Sequence, residues 1–272
     1  MKAPIQEIRE KEIEKTLKTY SGNRIFSEAL SNSSSKSIAP LLVRYISFNR
    51  LFGAGVSSLS SQLAVREDIF RDDRETAVSK DRSMDVASQV FAAGIDEFGD
   101  TSFENRPTHR ILAQATMKAV LGYYGYSKRQ TEKLEGSLDT KRIDKSVLQG
   151  YGAGSDTEEG LFRAMGFHIG SEFLADREFN ILDTYLQTKY QDLVKYLENA
   201  KVKVSGRKIP AYHWIKIHTS VEEDHFEHAL KAVNMALRYY EGNRSKTDVR
   251  KQIMAGISSF GSMQEGFMKS LK

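Results

Sequence analysis

Apolar residues recur along this chain at the three-to-four-residue interval of helices, and the strict alternation of a half-buried strand never persists beyond a few residues. Ile5, Ile8, Ile13 and Leu17 share a face of the charged segment 4–20, which predicts a surface helix, and the Ser-rich stretch at 32–36 breaks the pattern. From Ser37 to Ala64 the chain is apolar and rich in small residues. It predicts a buried helix or helix pair, with Gly53 and Gly55 permitting close packing or a bend. Residues 66–82 are polar and read as a solvated helix end and connection. A helix is expected over 83–98, with Ser83 as N-cap and Val86, Val90, Ala93 and Glu97 in one line. After a loop, Pro107 suits the first turn of a helix whose line is His109, Leu112, Thr116, Val120 and Tyr123.

Residues 125–154 carry many glycines and charges and predict one short helix and loops. Ser155-x-x-Glu158 then looks like a capping box, opening a helix with Leu161, Met165, His168 and Glu172 on one side. The apolar row Phe179, Leu182, Leu186, Tyr190, Leu193 and Leu197 continues that helix or follows it closely. Pro210 is expected to begin the next helix, read as continuous through 213–229. A last one, over 246–271, buries Val249, Ile253, Phe260, Met263 and Phe267. The fold class expected is all-α.

Composition narrows the chemistry. Four prolines in 272 residues favour long uninterrupted helices. The absence of cysteine excludes disulfides, thiolate metal sites, iron–sulfur clusters and a Cys nucleophile, so any metal must be held by nitrogen and oxygen. Forty basic and 36 acidic residues are interspersed, for a net charge of +4, and no basic tail or patterned basic and aromatic motif points to nucleic acid. The charged N-terminus lacks the apolar core of a signal peptide, and no apolar run approaches a membrane span; a cytoplasmic protein is the expectation. The dinucleotide-binding glycine pattern, the phosphate-loop pattern and the Gly-x-Ser-x-Gly elbow are all missing.

The chemistry concentrates in HWIKIHTSVEEDHFEHA, residues 213–229. On one helix Glu222 would lie about 40° and His225 about −20° around the axis from His218, so that all three point into one sector. Two imidazoles and a carboxylate on a stripe with Trp214, Ile217, Val221 and Ala229 are costly to bury alone, and a bound cation would satisfy them. Glu97, His109 and Glu172 likewise stand in line with apolar neighbours on other helices. Together these are three carboxylates and three imidazoles, the donor set of a pair of divalent ions, with iron or manganese a better match than zinc. His168, one turn before Glu172, reads as a hydrogen-bond partner behind the ligands or a satisfied core histidine. His228 reads as a flank residue, His213 as solvent-facing and Asp176 as a solvated helix residue. Tyr123, Tyr124, Tyr126, Tyr151 and Phe162 could line a substrate pocket or carry radical chemistry, but core packing explains most of them better.

The order Asp96-Glu97-Phe98-Gly99, His109, Glu172 within AMGFHIGSEFL, then His218-x3-Glu222-x2-His225, resembles the haem-oxygenase-like diiron oxidases and oxygenases, from about residue 37 to the C-terminus. The resemblance implies a single-domain helical bundle of about seven core helices over 37–272, with the N-terminal helices and Ser-rich connection of 1–36 part of it or covering it. It implies two irons per chain, with dioxygen as cosubstrate: Glu97 and His109 on one iron, His218, Glu222 and His225 mainly on the other, and Glu172 bridging. Where the family usually carries Asp between the late histidines, this chain has Glu222 beside Glu223 and Asp224, and the long interval between Glu97 and His109 leaves Asp96 and Glu104 as competing ligands. Haem oxygenase itself uses a His on its first helix, whereas this chain has none before His109. Thiaminase-like relatives use a Cys, and ferritin-like bundles need two Glu-x-x-His motifs where this chain has only Glu222-x-x-His225.

The function implied is oxidation or fragmentation of a small metabolite, an amino acid or amine before a fatty acid, with an electron donor and a homodimer both compatible. Fatty-acid-type decarboxylation and para-aminobenzoate-type synthesis occur on the same scaffold. Arg163 and Lys216 are the cations nominated to meet a substrate carboxylate. A metal-free helical binding protein and a cofactor-independent oxidase, with histidines as acid and base, are the competing classes.

Overall fold

The computed structural model describes residues 6–76, 79–101, 103–104, 106–137, 140–219 and 222–272, with the backbone alone at 140, 222 and 223. Two short helices open the chain, α1 (Glu10–Leu17) and α2 (Gly22–Asn32), followed by α3 (Ile38–Phe48), a 3-10 turn over Asn49–Leu51, and α4 (Phe52–Ala64). Then come α5 (Ser83–Phe98), α6 (His109–Tyr123), α7 (Lys128–Gly136), α8 (Thr140–Gly150), the long α9 (Glu158–Lys189) and α10 (Gln191–Asn199). A hairpin of β1 (Lys201–Val204) and β2 (Arg207–Pro210) leads to α11 (His213–His218), α12 (Glu222–Tyr239) and α13 (Lys246–Lys269). The fold is an all-α helical bundle, with one small hairpin among the described residues.

The long helix α9 runs through the middle. Its N-terminal half is buried almost all round, from Leu161 to Leu174, because α4, α12 and α13 cover it on different sides. Glycines set the closest approach. A Cβ on Gly166 would stand 1.8 Å from the Ile253 carbonyl oxygen, and one on Gly256 would stand 2.0 Å from that of Arg163. The two backbones therefore touch where neither helix carries a side chain.

Two apolar clusters fill the bundle. One gathers α1, α4, α5, α12, α13 and the first half of α9. The other gathers α2, α3, α6, α10, α11 and the second half of α9. The terminal helices are also fixed by charge: Arg177 lies 3.2 Å from Glu14, and Arg250 pairs with Glu12.

The structure departs from the sequence reading at several ends. Residues 213–229 are two helices rather than one. Thr219 caps α11, its hydroxyl donating to the Lys216 carbonyl at 2.8 Å, and α12 begins afresh at Glu222. Pro210 ends β2 instead of opening a helix. The hairpin is tight because Ser205 and Gly206 both take positive φ, 47° and 81°, the geometry of a two-residue turn matched to strand twist.

Thr157 caps α9 in place of Ser155, accepting from the Gly160 amide, and Thr108 caps α6, which leaves Pro107 just outside and His109 as first residue. Ser83 is no cap; its hydroxyl donates to the Ala64 carbonyl and ties α5 to α4. Two helices occupy 125–154 where one was expected. In the polar connection Ile69 and Phe70 are buried, held where Phe70 bridges Tyr240.

Candidate metal centre

Where the two apolar clusters meet, a cavity of about 360 Å³ opens, lined by Glu97, His109, Glu172, His218 and His225. Each ligand candidate comes from the inner face of a different helix. The line Val86, Val90 and Ala93 buries one side of α5, and the next turn on that side delivers Glu97. Gly53 of α4 makes room for it: a Cβ there would lie 2.7 Å from Glu97 Oε2. His109, at the head of α6, is buried, with Nδ1 3.1 Å from Glu97 Oε1. Its Nε2 is also buried and has no hydrogen-bond partner.

His218 completes a triad. One ligand atom from each of Glu97, His109 and His218 lies within 4.8 Å of the others. The His218 ring stacks on Phe179 at 4.2 Å, and its Nδ1 donates to the Trp214 carbonyl at 2.6 Å. That bond fixes the tautomer, with the proton on Nδ1 and the lone pair on Nε2. Burial, together with the neighbouring His109, holds His218 well below the usual imidazole range, so it is neutral and ready to ligate.

A second group adjoins it. His225 Nδ1 lies 3.7 Å from Glu172 Oε2, and its Nε2 lies 3.4 Å from Asp96 Oδ2. Burial disfavours the imidazolium of His225, but the Asp96 hydrogen bond and the charges of Glu172 and Glu97 outweigh it and raise its affinity for a proton. The same contact holds the Asp96 carboxyl below its ordinary range. Behind Glu172, His168 Nδ1 stands 3.1 Å from Glu172 Oε1, and neither ring nitrogen has a hydrogen bond of good geometry.

These donors fit divalent ions. A neutral buried imidazole, an unpartnered buried His109 Nε2 and a carboxylate converge as a nitrogen and oxygen triad, and three further ionisable groups stand beside it. The buried His109 Nε2, left without a hydrogen-bond partner, is costly, and a bound cation would satisfy it.

The structure brings Glu97, His109, Glu172, His218 and His225 to one cavity, but it divides them differently from the resemblance. His218 stands with Glu97 and His109, and His225 with Glu172. The cause is that α11 ends at His218 and α12 starts at Glu222, so rotation at a fixed angle per residue does not carry from one into the other. The Glu222 side chain, read as a ligand between the late histidines, lies outside the described residues.

Other expectations shift. His213 is not solvent-facing: its Nε2 is 2.7 Å from the buried Asp100, and Phe103 packs on the ring. His228 meets Gln89 at the surface, and Asp176 accepts from Asn180. Tyr151 and Phe162 are core residues, whereas Tyr123 and Tyr124 pack together near Tyr196 on the outside. Arg163 is tied to Gln252 and Glu159 away from the cavity, and Lys216 is exposed. Arg50 and Arg110 are the cations that line it.

Two acids went unremarked in the sequence. Asp100 could have been suspected from its place beside the Asp96-Glu97 pair. Glu178 is completely enclosed on α9, accepts from Tyr45 Oη and Gln264 Nε2, and lines the same cavity. Burial pushes its carboxyl up to about 7. Its signal was the spacing Glu172, Ala175, Glu178, Phe179 along one face of α9. No family model matches this chain, and no curated protein matches it.

Proposed function

We propose that the cavity holds a pair of divalent metal ions, iron by preference and manganese as the alternative, and that the protein is a dioxygen-dependent oxidoreductase acting on a small metabolite. The observation that carries this reading is the Glu97, His109 and His218 triad, both of its histidines buried, with Glu172, His225 and Asp96 directly beside it. Glu97, His109 and His218 would hold one ion, and His225, Glu172 and Asp96 the other. Two ferrous ions bound there would supply the electrons that reduce dioxygen.

The protein's own residues supply the rest. The Trp214 carbonyl keeps the His218 proton on Nδ1. Ile46, Phe48, Phe52, Val56 and Phe260 form an apolar wall that excludes water and accepts the carbon body of a substrate. Arg110, exposed on the cavity's solvent side, can orient a carboxylate there. Glu178, neutral or ionised across the physiological range, can hold or release a proton at the wall. An amino acid or amine fits a cavity lined by carboxylates together with the Arg110 side chain.

The experiment is oxygen uptake by protein reconstituted anaerobically with ferrous iron, with amino acids, amines and fatty acids offered in turn. Iron-dependent uptake stimulated by one class and abolished in His109→Ala supports the reading. Equal uptake by metal-free protein would favour a cofactor-independent oxidase and overturn it.

A further inference from the structure

The outer face of α5 is apolar where a solvated helix should be polar. Its exposed positions are Met84, Asp85, Ser88, Phe91, Ile95 and Phe98, and the last three carry no charge over more than two turns. Met84, Phe91, Ile95 and Phe98 fall within about 60° of one another around the helix. They are 63%, 44%, 52% and 56% exposed, and Val65, 74% exposed at the end of α4, extends the stripe beside Met84 through the bond from Ser83 to Ala64. The other large apolar side chains exposed among the described residues are Tyr123 and Tyr196, which pack on each other elsewhere.

We propose that this face is the interface of a homodimer, in which α5 of one copy packs antiparallel on α5 of another about a two-fold axis passing by Phe91. The stripe suits itself. With Met84 of one copy opposite Phe98 of the other, Phe91 meets Phe91 on the axis and Ile95 enters the gap between the other copy's Met84, Ser88 and Phe91. The exposed side chains amount to roughly 500 Å² per copy, at the upper end of what monomers leave bare. Two copies would bury roughly 1,000 Å² before flanking residues are added, which is where specific pairing begins. Charge agrees with the same register. Asp85 at one end of the stripe is exposed, 3.7 Å from Arg82 of its own chain and open on its outer side, and Arg106 stands at the other end, its Cβ 3.3 Å from where a Cβ on Gly99 would sit. Antiparallel pairing brings Asp85 of each copy to Arg106 of the other, twice. The opposite face of the helix carries Asp96 and Glu97, so the interface would stiffen a ligand-bearing element. The inference does not depend on which metal or substrate the cavity takes.

Sedimentation velocity across a concentration series is the test, with circular dichroism confirming that each variant is folded. The wild-type chain should be a dimer at micromolar concentration. Phe91→Glu places two like charges on the axis and should raise the dissociation constant at least about a hundredfold. Asp85→Arg should weaken pairing, and Asp85→Arg combined with Arg106→Asp should restore it. Because the chain has no cysteine, Phe91→Cys should cross-link to its own copy on mild oxidation, whereas Tyr196→Cys should not. A monomer at all concentrations, or a dimer indifferent to Phe91→Glu and to the charge swap, would overturn the proposal.

Discussion

His218 shows how one backbone contact can set a ligand's chemistry. Its Nδ1 proton is committed to the Trp214 carbonyl and the ring is stacked on Phe179, so both tautomer and orientation are fixed before any ion arrives. Replacing His218 by Ala should lower affinity for a divalent ion at least about a hundredfold, read by competition with a chromogenic chelator. Glu178 makes a different prediction. Its carboxyl is raised from 4.5 to about 7 in the folded chain, so between those values the unfolded form releases a proton that the folded form keeps. Stability is therefore full below about pH 4.5, falls as pH rises, and levels off above about 7. The loss is at most about 3 kcal/mol. Denaturant titrations of metal-free Glu178→Gln should lack that decline, and a parallel decline in the variant would place its origin elsewhere.

Glycines set the spacing between elements. An Ala at Gly256 drives a methyl group into the Arg163 carbonyl, which belongs to the backbone of α9 and cannot swing aside. Gly256→Ala should cost about 3 kcal/mol by forcing α13 off α9, measured as a lower denaturation midpoint. Gly53→Ala acts locally. Its new Cβ would meet Glu97 at Oε2, Cβ and Cγ, 2.7 to 3.2 Å away. Metal affinity should drop about tenfold with a much smaller change in stability, and unchanged affinity would show that Glu97 moves away without loss. The elements legible in the sequence were those with a long one-sided apolar line, such as α5, α6 and α13. Their ends were misread because caps are single hydrogen bonds: Ser155 and Ser83 have the right side chains, but Thr157 and Arg82 hold the cap positions. The hairpin escaped notice because its two strands have four residues each, too short for alternation to declare itself.

At the scale of the whole molecule, the cavity exists because the two apolar clusters do not close completely on each other. The ligand candidates line the gap from α5, α6, α9, α11 and α12. Glu97, His109 and Glu172 could be picked out because each interrupts an apolar line, and an ionisable group in such a line needs a partner. Which of them stand together was not legible: that depends on how helices cross and on α11 and α12 being separate helices, neither of which is encoded in a local period. Glu178 was passed over for a related reason. Its partners, Tyr45 and Gln264, are far away in the chain, so nothing nearby marks it as enclosed. Among the described residues no helix is long and apolar enough to cross a membrane.

Anaerobic titration of the metal-free chain with ferrous iron, followed calorimetrically, tests the central claim most directly. Two ions per chain are predicted, with His218→Ala and His225→Ala each removing one of them. No uptake, or uptake that neither substitution changes, would contradict the assignment of the cavity as a two-metal centre.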